Sequence, residues 1–140
     1  MTTLDPASTQ GARALERLST DKIAWLTTVG PDGQPQSSPI WFLWVDGEVF
    51  LYSHKTAPRN RNLAARPTVA FNLNTDPGGD DVVTMEGVAR FDPDAPLASA
   101  YPDYLAKYHG FLAEYGWEAT HMDREYPIAV RITPTRWRVS

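Results

Sequence analysis

Apolar residues alternate with polar ones along most of this chain and recur at helical spacing in only three places, which predicts a mainly β protein with flanking helices. Lys22 to Val29 is rich in β-formers and runs into an Asp32-Gly33 turn, after which Gln36 to Val45 reads as a second strand. A second tight turn at Asp46-Gly47 leads to Glu48 to Ser53, so the first three strands are expected to form an antiparallel meander. Thr68 to Asn74 makes a fourth strand, and Val82 to Phe91 a long fifth one in which Gly87 marks a bend or bulge. Pro127 to Thr133 and Arg136 to Val139 read as a last strand interrupted near Pro134.

The helical segments are Thr9 to about Leu18, a short one after Pro58 that Pro67 must end near Ala65 or Arg66, and one opened by Pro102. The third carries Tyr104, Leu105, Tyr108, Phe111, Leu112 and Tyr115 on one broad face, assigned to packing or a dimer surface. Residues 116–126 read as a loop. Six strands with tight hairpins favour a small antiparallel barrel over a doubly wound parallel sheet.

With 140 residues the chain can bury one core, and a single domain spanning 1–140 is expected. A formal net charge of −4 argues against partners held by a broad positive field, so neither nucleic acid nor a membrane surface is expected. No segment has the apolar length of a membrane span, and the polar start is unlike an export signal, so a cytoplasmic protein is expected. There is no cysteine, which excludes disulfides, thiolate catalysis and cysteine metal sites.

Against that acidic background Lys55, Arg59, Arg61 and Arg66, four of 13 basic residues, crowd around the short helix after the third strand. Ser53 or Thr56 followed by Pro58 supplies helix-start chemistry, so cations and helix N–H groups converge there as a cradle for a phosphorylated ligand. Pro39 cannot donate to a neighbouring strand, which suits an edge or groove where a planar ring lies alongside. His54, His109 and His121 lack metal-ligand spacing, and the nucleophile-elbow, Walker and dinucleotide glycine motifs are absent. What remains is a cofactor enzyme that needs only to grip a phosphate and support a ring.

The run Trp25-Leu-Thr-Thr-Val29, Asp32-Gly-Gln-Pro35, Pro39-Ile-Trp-Phe-Leu-Trp44, Ala57-Pro-Arg-Asn-Arg-Asn-Leu63 and Arg66-Pro-Thr-Val69 resembles the pyridoxamine 5'-phosphate oxidase-like split β-barrel proteins. It is most similar to their small deazaflavin (coenzyme F420)-dependent reductases. The resemblance implies a six-stranded antiparallel split barrel, a homodimer with cofactor grooves at the subunit interface, and hydride transfer to an unsaturated small-molecule substrate. It implies that Lys55, Arg59 and Arg61 meet the cofactor phosphate, that Ser53, His54 and Asn62 shape that pocket, and that Ser37, Ser38, Pro39, Ile40 and Trp41 back the ring. It designates no catalytic side chain. FMN in the same groove is the nearest alternative, as an oxidase or flavin reductase. A carrier of a flavin-like or haem-like ligand and a single-stranded nucleic-acid barrel using Arg136, Trp137 and Arg138 are the others, the last at odds with the acidic charge.

Overall fold

The computed structural model describes all of residues 1–140. In chain order the elements are α1 (Thr9–Thr20), β1 (Ala24–Val29), β2 (Pro35–Ile40), β3 (Leu43–Val45), β4 (Glu48–Ser53), α2 (Pro58–Ala65), β5 (Thr68–Leu73), β6 (Val83–Phe91), α3 (Pro102–Tyr115), α4 (Ala119–Glu125) and β7 (Ile128–Val139), with a single 3₁₀ turn at Ala98–Ala100. The strands form one antiparallel sheet in the order β2-β1-β5-β6-β7-β4-β3. No helix is long and apolar enough to cross a membrane.

Seven strands replace the expected six, because the segment read as one strand over 36–45 breaks at Trp41-Phe42. Its first half pairs with β1, Pro39 lying opposite Trp25, while its second half pairs with β4, Leu43 opposite Phe50. The two halves are therefore the two edges of the sheet, and the curled sheet splits where they part. Pro39 sits on the β2 edge, where its missing N–H costs no ladder bond. The backbone freed at the break is satisfied from α3: the Phe42 N–H donates to the Tyr108 hydroxyl at 2.7 Å, and Lys107 Nζ donates to the Phe42 carbonyl at 2.8 Å.

β7 runs to Val139 as a single strand, continuous through the interruption expected near Pro134. The expected irregularity is a bulge: Glu86 pairs with Arg136 and Gly87 with Pro134, leaving Thr135 as the extra residue. α4 occupies a segment read as loop; of its seven residues only Met122 is buried, too weak a pattern for sequence to reveal. α1 begins at Ser8, whose hydroxyl accepts from the Gly11 N–H at 2.9 Å.

β4 is buried on both faces and divides the interior. Val49 and Leu51 join Leu26, Phe71, Ile132 and Trp137 in the core within the curl of the sheet, which α1 closes with Leu18. Phe50 and Tyr52 face the other way, into a smaller cluster with Tyr104, Tyr108, Leu112 and Met122 beneath α3 and α4. Trp137 is therefore core, with Arg136 exposed.

One surface network fixes β4 to β6 and β7. Glu48 receives a bidentate pair from Arg90 at 2.6 and 2.9 Å and a bond from the Thr133 hydroxyl at 2.7 Å. The Arg90 hydrogen bonds chiefly, against the opposing effect of partial burial, lower the Glu48 carboxyl to about 2. Because the folded value lies below the unfolded one, the stabilisation is complete above the ordinary carboxylate range and is lost as pH falls toward 2. Urea midpoints are expected to put Glu48→Gln below the natural chain at pH 7, with the gap closing near pH 2; a gap independent of pH would contradict this.

Candidate functional site

A cleft of about 430 Å³ opens where the sheet splits. It is lined by Pro39 and Ile40 at the end of β2, by Trp41 of the break, and by Tyr115, Trp117, Met122 and Tyr126 around α3 and α4. His54 and Arg59, from the β4–α2 connection and the first turn of α2, also line it.

The wall is aromatic for a local reason. Trp41 stacks on Tyr108 with ring centroids 4.8 Å apart and planes 5° from parallel. At the end of α3 Gly116 takes a left-handed conformation (φ 69°), which turns the chain so that Trp117 stacks back on Tyr115 at 4.9 Å. Trp117 in turn lies 6.5 Å from Trp41 and 4.3 Å from the His121 ring. The aromatic stripe of α3, expected from sequence to serve packing or a dimer surface, also reaches the cleft. Tyr104, Tyr108 and Leu112 are buried, whereas the exposed Tyr115 and, beyond the helix, Trp117 line the cleft, which Tyr104 also touches. A glycine between two aromatics at a helix end was the available signal.

Arg59 is the cation most deeply placed in the site. It is half-buried and donates to the Ser38 hydroxyl at 2.8 Å, but no carboxylate pairs with it, and desolvation draws its guanidinium below the ordinary value while Tyr126 opposes that. A half-buried charge without a counter-ion is costly unless an anion meets it. Two further polar atoms lack partners, the buried Ser53 Oγ and Asn60 Oδ1, both flanking the same connection; Asn60 was not singled out from sequence.

The remaining predicted residues divide. His54 accepts from the Thr56 N–H at Nδ1 (3.1 Å), packs edge-on against Tyr126 and faces Glu125 through Nε2 at 3.5 Å. Lys55 is paired with Glu125 at 3.2 Å. Arg61 is exposed on α2, while Arg66 at its far end is spent on the Val29 carbonyl at 3.0 Å and takes no part. Asn62 is buried and acts as a brace, its Nδ2 donating to Thr28 Oγ1 at 3.1 Å and Gln36 Oε1 at 2.9 Å. Ser37 lies on the outer face of the sheet in a separate groove with Trp25 and Asn72. The helix cap is Ala57, with no side-chain hydrogen bond, because Thr56 turns to His54 and Ser53 is buried in β4.

Among the cleft-lining residues, the phenol hydroxyls of Tyr52 and Tyr126 are candidate proton sources. Tyr52 donates to the Pro96 carbonyl at 2.5 Å, and burial pushes its phenol well above the ordinary value. Its proton is committed. Tyr126 lines the cleft without such a bond. No three His, Asp or Glu side chains gather as metal ligands would.

Tyr108 is the pin beneath this site. Its hydroxyl accepts from the Phe42 N–H and lies 2.7 Å from the Lys22 carbonyl, and its ring carries Trp41. Tyr108→Phe keeps the stack but orphans a buried N–H, and is expected to cost about 1–3 kcal/mol in denaturant unfolding. A stability unchanged within error would show that the break closes by other means.

The pyridoxamine 5'-phosphate oxidase family matches residues 11–140. Among solved structures, a conserved hypothetical protein from Mycobacterium tuberculosis is 25% identical, over 99% of this chain and 88% of its own, with a TM-score of 0.69. A protein described as an F420 reductase is 24% identical, over 88% and 94%, with a TM-score of 0.62. The haem storage protein HutZ from Vibrio cholerae is 20% identical, over 98% and 94%, with a TM-score of 0.64. No curated protein matches.

Proposed function

The chain belongs to the pyridoxamine 5'-phosphate oxidase family, and from that premise we propose that it is a cytoplasmic, homodimeric reductase that uses coenzyme F420 to reduce an unsaturated small-molecule acceptor. The observation that carries the reading is Arg59, a half-buried cation without a carboxylate partner, at one end of an aromatic-walled cleft. That arrangement fits a flat ring with an anionic tail: Trp41, Pro39 and Ile40 support the ring, and Arg59 with Arg61 and Lys55 receives the phosphate.

When bound and reduced, the deazaflavin supplies a hydride to the electron-poor carbon of the acceptor. The chain contributes orientation. Trp117 and Tyr115 add aromatic surface to the cleft against which a conjugated acceptor can pack, and the apolar lining excludes water from the line of transfer. The proton that completes the reduction comes from water or from Tyr126, since Tyr52 is engaged with Pro96.

The test is to follow the absorbance of reduced F420 with a panel of conjugated acceptors, alongside titration with FMN. Acceptor-dependent oxidation of F420 supports the proposal. Tight FMN retention without F420 binding would replace it with the FMN oxidoreductase reading, and retention of a ring without turnover by any acceptor would leave a carrier.

A further inference from the structure

The carboxylate of Glu125 stands where the cradle's own donors converge. Thr56 N–H can only donate, so His54 Nδ1, 3.1 Å away, is the acceptor and the imidazole proton sits on Nε2, which faces Glu125 at 3.5 Å. Lys55 Nζ reaches the same oxygen at 3.2 Å. The Lys55 N–H donates to the Glu125 carbonyl at 3.0 Å, so the end of α4 is tied to the cradle and its side chain stays within reach. Lys55 holds the carboxyl below the usual carboxylate range, with His54 and His121 adding to the effect.

Resting on the reading of the cleft as a site for a phosphorylated ring, we infer that Glu125 is an internal anion occupying part of the phosphate cradle, which the ligand's phosphate displaces from Lys55 and His54. Glu125 thereby sets how strongly the site discriminates between phosphorylated and unphosphorylated rings. The exchange is feasible because the resident pair is partly exposed, and such pairs contribute little. The phosphate monoester of FMN brings more charge and three acceptor oxygens, so it outcompetes a single carboxylate for Lys55 while also engaging Arg59. A ligand with a neutral tail has nothing to offer in exchange and leaves Glu125 in place.

The experiment compares FMN with riboflavin, which differ only in the phosphate, by quenching of flavin fluorescence, with inorganic phosphate as competitor. Glu125→Gln is expected to tighten FMN binding about fivefold, to leave riboflavin unchanged, and to make inorganic phosphate a better competitor. In a Lys55→Gln background the same substitution is expected to lose most of its effect on FMN. If the natural chain prefers FMN over riboflavin but Glu125→Gln leaves FMN affinity unmoved or weaker, the displacement is wrong and Glu125 merely positions Lys55. If neither chain prefers FMN over riboflavin, the phosphate reading of the cleft falls, and this inference with it.

Discussion

Arg59→Glu is expected to lower the affinity for F420 and for FMN by about a hundredfold or more while leaving the ligand-free melting temperature nearly unchanged. A charge-assisted hydrogen bond to phosphate contributes about 1.5–3 kcal/mol, and the substitution also places a carboxylate against the incoming anion. The fold loses little, because Arg59 makes a single hydrogen bond, to Ser38, and has no ion pair. Adding Lys55→Glu, which sets a second negative charge beside Glu125, is expected to abolish retention altogether. Isothermal titration and thermal melts on the same samples check both halves. Unaltered affinity would remove the cradle assignment, whereas a collapse in melting temperature would mean that Arg59 serves the fold.

The second large effect concerns the fold that holds the cleft. Gly87→Val is expected to cost about 3 kcal/mol, lowering the melting temperature by roughly 10 °C. A Cβ there would lie 2.7 Å from Ile132 Cγ2 and 2.9 Å from both the Met85 sulfur and the Thr133 carbonyl oxygen. The methionine can swing away, but the Thr133 carbonyl belongs to the β7 backbone and cannot move without opening the bulge opposite Pro134. A variant as stable as the natural chain, measured by urea unfolding, would show that β6 and β7 pair without the close approach described.

Both positions were legible in the sequence, for the same reason: each is a local departure from its surroundings. Arg59 belongs to a cationic run in an acidic chain, and Gly87 interrupts a strand of otherwise ordinary composition. The hairpins were legible too, since Asp32-Gly33 and Asp46-Gly47 announce turns that place Gly33, Asp46 and Gly47 at positive φ. The Pro39 edge followed from its missing donor.

Features hidden from the sequence depend on partners far along the chain. Nothing near Trp41-Phe42 says that one strand becomes two; the break exists because Tyr108 and Lys107 satisfy the Phe42 backbone from α3. Arg66 looked like the fourth member of the cradle, yet it is bonded to Val29 at the end of β1, distant in sequence. Lys55 looked free until α4, itself lacking an apolar stripe, brought Glu125 to it. Asn62 has the chemistry of a ligand contact and is used as a brace, because Gln36 and Thr28 reach it first.

The most direct measurement is a crystal structure of the chain soaked with F420. The expected density shows the ring against Pro39, Ile40 and Trp41 with phosphate oxygens within hydrogen-bond distance of the Arg59 guanidinium. Density for the cofactor elsewhere, or a tail directed away from Arg59 with the cleft filled by solvent, would contradict the account.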